Sequence, residues 1–418
     1  MRPMDKLKPH YGYGVSGDRF WPRPALVKQI LIGLERSESL CLFGPRRTGK
    51  SSLLRECARL LREDADFTVI EINGEGMDAV ASLFNQIVAS LPNNNFTGFK
   101  ARIDQLKMPE RMYELIDIWR GKGRAGGEDA KLVTRHWASV AQAITQSIPD
   151  MESRPVLFID ELTYLCENLY DNTGRSEEVT RLLAMLREWR GEGMGMVIAS
   201  SIGIRQYLRK IGVSRNHLTG CNPIHVGPLD PANARMMLAA LARQEGLDWW
   251  DESIAQAVMD QSTDLLPACL QFAFKYVVAA RDDARDDIEG PPFNALTIDA
   301  IFKDRIRPNF EHEFFRQFDE RFGEYETVEQ DAAREMFRCI VRSTRSSRSR
   351  SYDDLYDAVE GALGQEKTDA VDLSDLIRAL EDDGFLIDRR EQDQIAFASR
   401  LVEAWWLTRD HRRKRRRD

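Results

Sequence analysis

Apolar positions change period along the chain, and each change marks an element. Short apolar runs at Ser39–Phe43, Phe67–Asn73, 156–159 and 194–199 read as buried strands. The segments between them repeat apolar residues every three or four positions, as in Leu26, Ile30, Leu31 and Leu34, or Leu53, Leu54, Cys57, Leu60 and Leu61. That spacing predicts amphipathic helices, with further ones over 79–91, 131–147 and 176–190. Strands alternating with helices imply an α/β core on a parallel sheet, with 222–226 as its last strand. The stretch 92–130 is polar and broken by Asn93-Asn94-Asn95 and by glycines. It reads as an insertion or loop with one short helix near 108–119.

The second half is helical. Asp230-Pro231 carries start signals, an N-cap carboxylate and Pro at the first helical position, and Gly246 follows the end. Helices are expected at 251–261 and 267–280, then a charged connector, 281–292, and Phe-rich helical material to 322. Helices at 332–341, 353–363 and 373–383 precede two strands, 384–388 and 394–398. A last helix carries Leu401, Trp405, Trp406 and Leu407. That is the order of a winged helix-turn-helix.

At 418 residues two or three domains are expected, and 43% apolar content suffices for real cores. The net charge of −8 gives no general attraction to nucleic acid or anionic membrane, so such contacts need a local patch. No apolar run approaches the roughly 18–20 residues that span a bilayer, and 1–10 lacks the apolar core of a signal peptide. The six cysteines are scattered without a C-x-x-C pair and read as small buried hydrophobes in a reducing compartment. The expectation is a cytoplasmic protein with no membrane partner.

The most informative chemistry follows the first strand. Gly44-Pro45-Arg46-Arg47-Thr48-Gly49-Lys50-Ser51 has the spacing G-x-x-x-x-G-K-S, with a strand before it and a helix after it. Its glycines let successive N–H groups face one set of phosphate oxygens, and the helix N-terminus adds donors. Gly44 through Ser52 thus form a candidate cradle for ATP, with Lys50 on the β and γ phosphates and Ser51 on Mg²⁺. The strand 156–159 ends in Asp160-Glu161. Asp160 can hold Mg²⁺ through its water shell, and Glu161 can polarise the attacking water. Ser200 or Ser201, ending the next strand, can bond the γ phosphate or that water; Ser201 is the catalytic candidate. Arg205, Arg209 and Arg215 follow, as a solvated face or as a source of an arginine finger. Upstream, Phe20 and Arg23 can flank the adenine; alternatively Phe20 and Trp21 pin the N-terminal segment.

Gly17-Asp-Arg-Phe-Trp-Pro-Arg23, the loop with its double Arg46-Arg47, and Leu157-Phe-Ile-Asp-Glu161 together resemble the archaeal-type ATPases of the STAND group, relatives of AAA+ proteins. The resemblance implies an α/β P-loop core at 1–229, a helical lid and connector at 230–322, a winged-helix domain at 323–410 and a basic tail at 411–418. It also implies an ATP-driven switch in which nucleotide state governs the C-terminal module. In the resembled family a Gly-x-Pro proline of the lid packs near adenine. Here Asp264-Leu265-Leu266-Pro267 keeps the proline without the glycine, so Pro267 is a nucleotide contact or a simple helix start. Rival readings are a DNA-associated loader and an adaptor that holds ATP with little turnover. The third wing helix offers Ser374, Asp375, Arg378, Glu381, Asp382 and Asp383, which repel phosphate on balance. Basic charge lies in the Ser/Arg loop (Arg342, Arg345, Arg348, Arg350), Arg389, Arg390 and the tail 411–417. The module therefore contacts nucleic acid through phosphates, or binds a protein partner or a second copy. Trp405 and Trp406 require an apolar surface, in its own core or on such a partner.

Overall fold

Strands with apolar residues at both parities need cover on both faces, and the fold supplies it. The computed structural model describes residues 14–414 except 45–46, 78–79, 122, 124–127, 201–203, 215–219, 263–264, 284–294, 311–314, 344–348, 390–392 and 399. Contacts divide the chain into two units: Tyr13–Phe43 with Lys50–Val226, and Gly227–Asp418, with which the turn Gly44–Gly49 groups.

The first unit runs α1 (Pro24–Glu35), β1 (Ser39–Phe43), α2 (Lys50–Leu61), β2 (Phe67–Asn73), α3 (Val80–Ser90), α4 (Asn93–Ile103), α5 (Glu110–Arg120), α6 (Glu128–Ser147) and β3 (Arg154–Asp160). It continues through α7 (Leu162–Thr173), α8 (Ser176–Gly191), β4 (Gly195–Ala199), α9 (Ile204–Lys210) and β5 (Cys221–His225). The sheet is parallel throughout, in the order β2-β3-β4-β1-β5. Alternation along β3 divides its side chains between two cores. Val156 and Phe158 join Ile30 and Leu34 of α1 and Leu53, Leu54 and Cys57 of α2. Leu157 and Ile159 join the helices from α3 onward, including Phe84, Trp137, Leu165 and Trp189. Burial pushes the Cys57 and Cys166 thiols up to about 12, so both are inert apolar filler, and no disulfide joins any of the six cysteines.

Two elements of the first unit depart from expectation. The asparagine run opens α4 instead of breaking the chain: Pro92 caps it, and Asn95 is buried, donating to the Thr68 hydroxyl at 3.4 Å and accepting the Glu152 N–H at 3.3 Å. Phe99 and Ile103 then sit at helical spacing in the core, so among the described residues α4 precedes the one short helix expected there, α5. The helix α7 was not foreseen, although Leu162, Leu165, Cys166 and Leu169 give it a buried face.

The second unit begins with α10 (Pro231–Gln244), α11 (Glu252–Gln261), α12 (Pro267–Asp283) and α13 (Ala295–Ile301), followed by a π turn at Phe302–Ile306. Asp230 caps α10 as its sequence suggests, and Asp251 caps α11 in the same way. Next come α14 (Arg307–Phe310), α15 (Arg316–Gly323), α16 (Thr327–Val341), β6 (Ser349–Arg350), α17 (Tyr352–Leu363), α18 (Gln365–Asp369), α19 (Leu373–Asp382), β7 (Leu386–Arg389), β8 (Gln394–Phe397) and α20 (Arg400–Lys414). The strands pair antiparallel in the order β6-β8-β7. Trp405 and Trp406 are both 1% exposed. Trp405 lies 5.7 Å from Phe322 and 5.3 Å from Phe385, and Trp406 lies 5.1 Å from Phe337. Both indoles therefore close the core of their own unit. Asp383 is likewise turned inward: its carboxylate accepts from Tyr325 Oη at 2.6 Å, and its carbonyl accepts from Arg321 Nη1 at 2.8 Å.

Among the described residues no helix is long and apolar enough to cross a membrane. Trp405→Ala should remove an indole from the centre of this aromatic core and cost about 3–5 kcal/mol. Urea unfolding followed by fluorescence checks this; a loss below about 1 kcal/mol, the usual surface effect, would show that the helix is not part of the core.

Candidate functional site

The turn after β1 has an unusual backbone. Gly44, Arg47 and Gly49 have φ of 139°, 69° and 94°. A Cβ on Gly49 would meet nothing within 4 Å, so glycine is needed there for conformation and not for space. Arg47 adopts the left-handed region without that freedom, a strain typical of sites where the backbone must face a ligand. Thr48 is fully buried and Lys50 is 7% exposed, at the first residue of α2, where helix amides and partial positive charge accumulate. Pro45 and Arg46 lie outside the described residues.

At the second residue of the same helix, Ser51 Oγ donates to Asp160 Oδ1 at 3.1 Å. The residues are 109 positions apart in sequence, and the sheet brings them together. β3 ends with Asp160 in register with Asn73 of β2 and Ala199 of β4. Asp160 is 8% exposed, and its carboxyl is pushed up to about 6. Burial is the main cause and the neighbouring Glu161 adds to it; the Ser51 hydrogen bond and the charges of Arg55 and Lys50 oppose both. Glu161 then leaves the strand in the left-handed region, φ 58° and ψ 52°, at the N-cap of α7. Its N–H donates to Ala199 O at 2.7 Å.

Ser200 directly follows β4, which lies between the strands of the loop and of Asp160, and its hydroxyl shares a 2.7 Å hydrogen bond with Thr163 of α7. Ser201, Arg215 and the side chain of Arg205 lie outside the described residues, as do Asp264, Arg345, Arg348, Arg390 and 415–417; Arg209 is exposed on α9. Phe20 packs on the core of α1 and α2, and Trp21 is buried, so both fasten the N-terminal segment. Arg23 immediately precedes α1, and Pro267 opens α12 at its first turn.

Sequence reasoning missed a strap across α2. The Ser52 hydroxyl accepts the Val15 N–H at 3.1 Å, Glu56 accepts the Gly17 N–H at 2.7 Å, and Arg55 donates to the Gly14 carbonyl at 2.5 Å. A Cβ on Gly14 would lie 2.8 Å from that of Ser51, so the strap runs hard against the phosphate-loop helix. The available signal was Arg55, one helical turn after Ser51 on the same face.

Among the described residues no three His, Cys, Asp or Glu side chains converge. One hydroxyl beside one carboxylate is nevertheless the protein donor set that suits Mg²⁺, which keeps most of its shell for water and phosphate oxygens. The residues present fit that group.

A family model described as novel STAND NTPase 1 matches residues 15–418. The chain belongs to this family. No curated protein sequence matches it. Among solved structures, this STAND NTPase is similar to the Walker-type ATPase paby2304 of Pyrococcus abyssi, with a TM-score of 0.53 and 18% identity over 97% of this chain and 99% of that one. It also matches the ADP form of the Aeropyrum pernix ORC2 protein, with a TM-score of 0.46 and 12% identity over 94% and 97%. For AMPPCP-bound DnaA from Aquifex aeolicus the TM-score is 0.36 and the identity 14%, over 97% and 99%. The Pyrococcus likeness supports a parallel-sheet P-loop NTPase fold.

The burial of Asp160 has a pH consequence in the protein free of nucleotide and metal. Below about pH 4 the carboxyl is protonated in both folded and unfolded chains, so it contributes nothing. As pH rises from about 4 to 6 the unfolded chain ionises first, and stability falls; above pH 6 the deficit is constant. Asp160→Asn should therefore be the more stable protein at pH 7.5, by up to about 3 kcal/mol, and equal to wild type near pH 4. Chemical denaturation across that range tests it, and a variant less stable at pH 7.5 contradicts the reading of a desolvated carboxylate.

Proposed function

We propose that this STAND NTPase hydrolyses ATP to ADP and phosphate with Mg²⁺ at the site formed by the β1–α2 turn and the end of β3, and that bound nucleotide acts as a switch. The observation that carries the reading is the Ser51–Asp160 hydrogen bond at 3.1 Å beside a left-handed Glu161. A hydroxyl and a carboxylate 109 residues apart in sequence are brought together at the C-terminal edge of the sheet, the position at which α/β folds bind a nucleotide and its cation.

In this mechanism the turn from Gly44 to Gly49 and the first amides of α2 hold the triphosphate, and Lys50 neutralises its β and γ oxygens. Ser51 and Asp160 would hold Mg²⁺, which when bound offsets charge on the phosphates. Glu161 takes the proton from the attacking water, and Ser200 or Ser201 orients that water or the γ phosphate. Arg23 is assigned to the adenine side.

The segments 230–322 and 323–410 are assigned as helical lid and winged-helix module. The succession α16, β6, α17, α19, β7, β8, with β6 pairing to the hairpin, supports the second assignment. The module faces a protein or a second copy, because α19 exposes Ser374 and Arg378 beside the partly exposed carboxylates of Asp375 and Glu381. Carboxylates at that position repel phosphates.

Two variants test the proposal together. Lys50→Ala should lose nucleotide binding in calorimetry, since each charge-assisted bond to phosphate contributes about 1.5–3 kcal/mol. Glu161→Gln should bind Mg·ATP normally and turn over about 10²–10⁴ times more slowly. Its ATP-bound particle should differ in mass from wild type with ADP, if nucleotide state governs self-association. Wild-type affinity in the first variant, or wild-type turnover in the second, removes the corresponding residue from the mechanism.

A further inference from the structure

The tightest main-chain approach at this site is met by a residue with no side chain. Gly74 opens a 3₁₀ turn, Gly74–Gly76, immediately after Asn73, the register partner of Asp160. A Cβ on Gly74 would lie 2.2 Å from the carbonyl oxygen of Glu161, and 3.1 Å from both its carbonyl carbon and the Leu165 amide nitrogen. All three are main-chain atoms, so no side-chain rotation relieves the overlap. Gly74 is not among the residues with positive φ; it needs to be glycine for space alone.

The surroundings leave the Glu161 peptide little room to retreat. On its other side its N–H is held by Ala199 O of β4 at 2.7 Å. The Glu161 carbonyl accepts the Leu165 N–H at 3.4 Å, the first main-chain hydrogen bond of α7, and a methyl group on Gly74 would press on both atoms of that bond. The turn bearing Gly74 is itself tied down. Glu75 N–H donates to Asn73 Oδ1 at 3.2 Å, and Asn168 of α7 donates to the Met77 carbonyl at 2.7 Å. Glu161 thus holds its left-handed conformation in a slot one peptide thick, and the direction of its side chain follows from that backbone.

We propose that Gly74 is a positioning residue for hydrolysis: by lacking a side chain it admits the left-handed Glu161 peptide between β2 and β4 and so aims the Glu161 carboxylate. The inference rests on the assignment of Glu161 as the base. It places a requirement for hydrolysis on β2, in a residue that never touches nucleotide, and it predicts that the loss from changing Gly74 falls on the chemical step.

Gly74→Ala in the full chain tests this. A shift of the base by a fraction of an ångström to an ångström should lower kcat about 10- to 100-fold, while KM and the calorimetric Mg·ATP affinity stay within about twofold of wild type. In a Glu161→Gln background the same change should cost nothing further, because there is no base left to misplace. A kcat equal to wild type overturns the proposal. So does a loss that appears in affinity instead of kcat, or one that persists at full size with Glu161→Gln. Should Gly74→Ala fold too poorly to assay, adding Glu161→Gly decides the matter. That change frees the backbone at 161, and it restores the folded fraction if the two residues contend for one space; an unchanged folded fraction overturns the proposal. Failure of the underlying reading shows separately, as wild-type turnover in Glu161→Gln alone.

Discussion

Burial of β3 on both faces is the constraint on which the rest of the first unit depends. Val156 and Phe158 are committed to the core under α1 and α2, and Leu157 and Ile159 to the core under the later helices. A one-residue slip would exchange the two sets and expose neither to water, yet it would displace Asp160 from its register with Asn73 and Ala199. The strand therefore delivers a carboxylate to a fixed height at the sheet edge, where desolvation makes its charge costly. Ser51, Lys50 and Arg55 answer that cost in the ligand-free protein. A polar site placed at the end of an apolar strand is strained by design, and a bound cation would relieve the same strain.

Much of this was legible in the chain. The strands β1, β2 and β3 follow from their apolar runs, and the glycine-bearing turn after β1 from its spacing. These are local signals, each contained in fewer than ten residues. What was not legible depends on partners distant in sequence. The asparagines that open α4 look like a break, and only the Thr68 hydroxyl and the Glu152 amide make a buried Asn95 tolerable. The helix α7 begins at a left-handed Glu161, which no propensity predicts, because that conformation is held by a hydrogen bond to β4 on one side and has room only beside a glycine at 74 on the other. The strap from Gly14 to Gly17 is visible only through the side chains of α2 that hold it.

The second unit illustrates the same division. Trp405 and Trp406 are two large apolar residues on a terminal helix, and their sequence fits an internal core as well as a docking face. Five-to-six-ångström ring contacts with Phe322, Phe337 and Phe385 assign them to the interior. Asp383 counts as surface charge by sequence, but Tyr325 and Arg321 draw it inside. Among the described residues of α19, Ser374 and Arg378 are exposed and Asp375 and Glu381 partly so.

The measurement that bears most directly on the whole account is release of inorganic phosphate from ATP by the full-length wild-type protein, followed with Mg²⁺ and again with the divalent cation chelated. The account predicts a turnover proportional to protein concentration that requires the cation and stops when it is removed. Stable retention of unhydrolysed ATP in the presence of Mg²⁺ would contradict it, and would make the chain a nucleotide-bound adaptor.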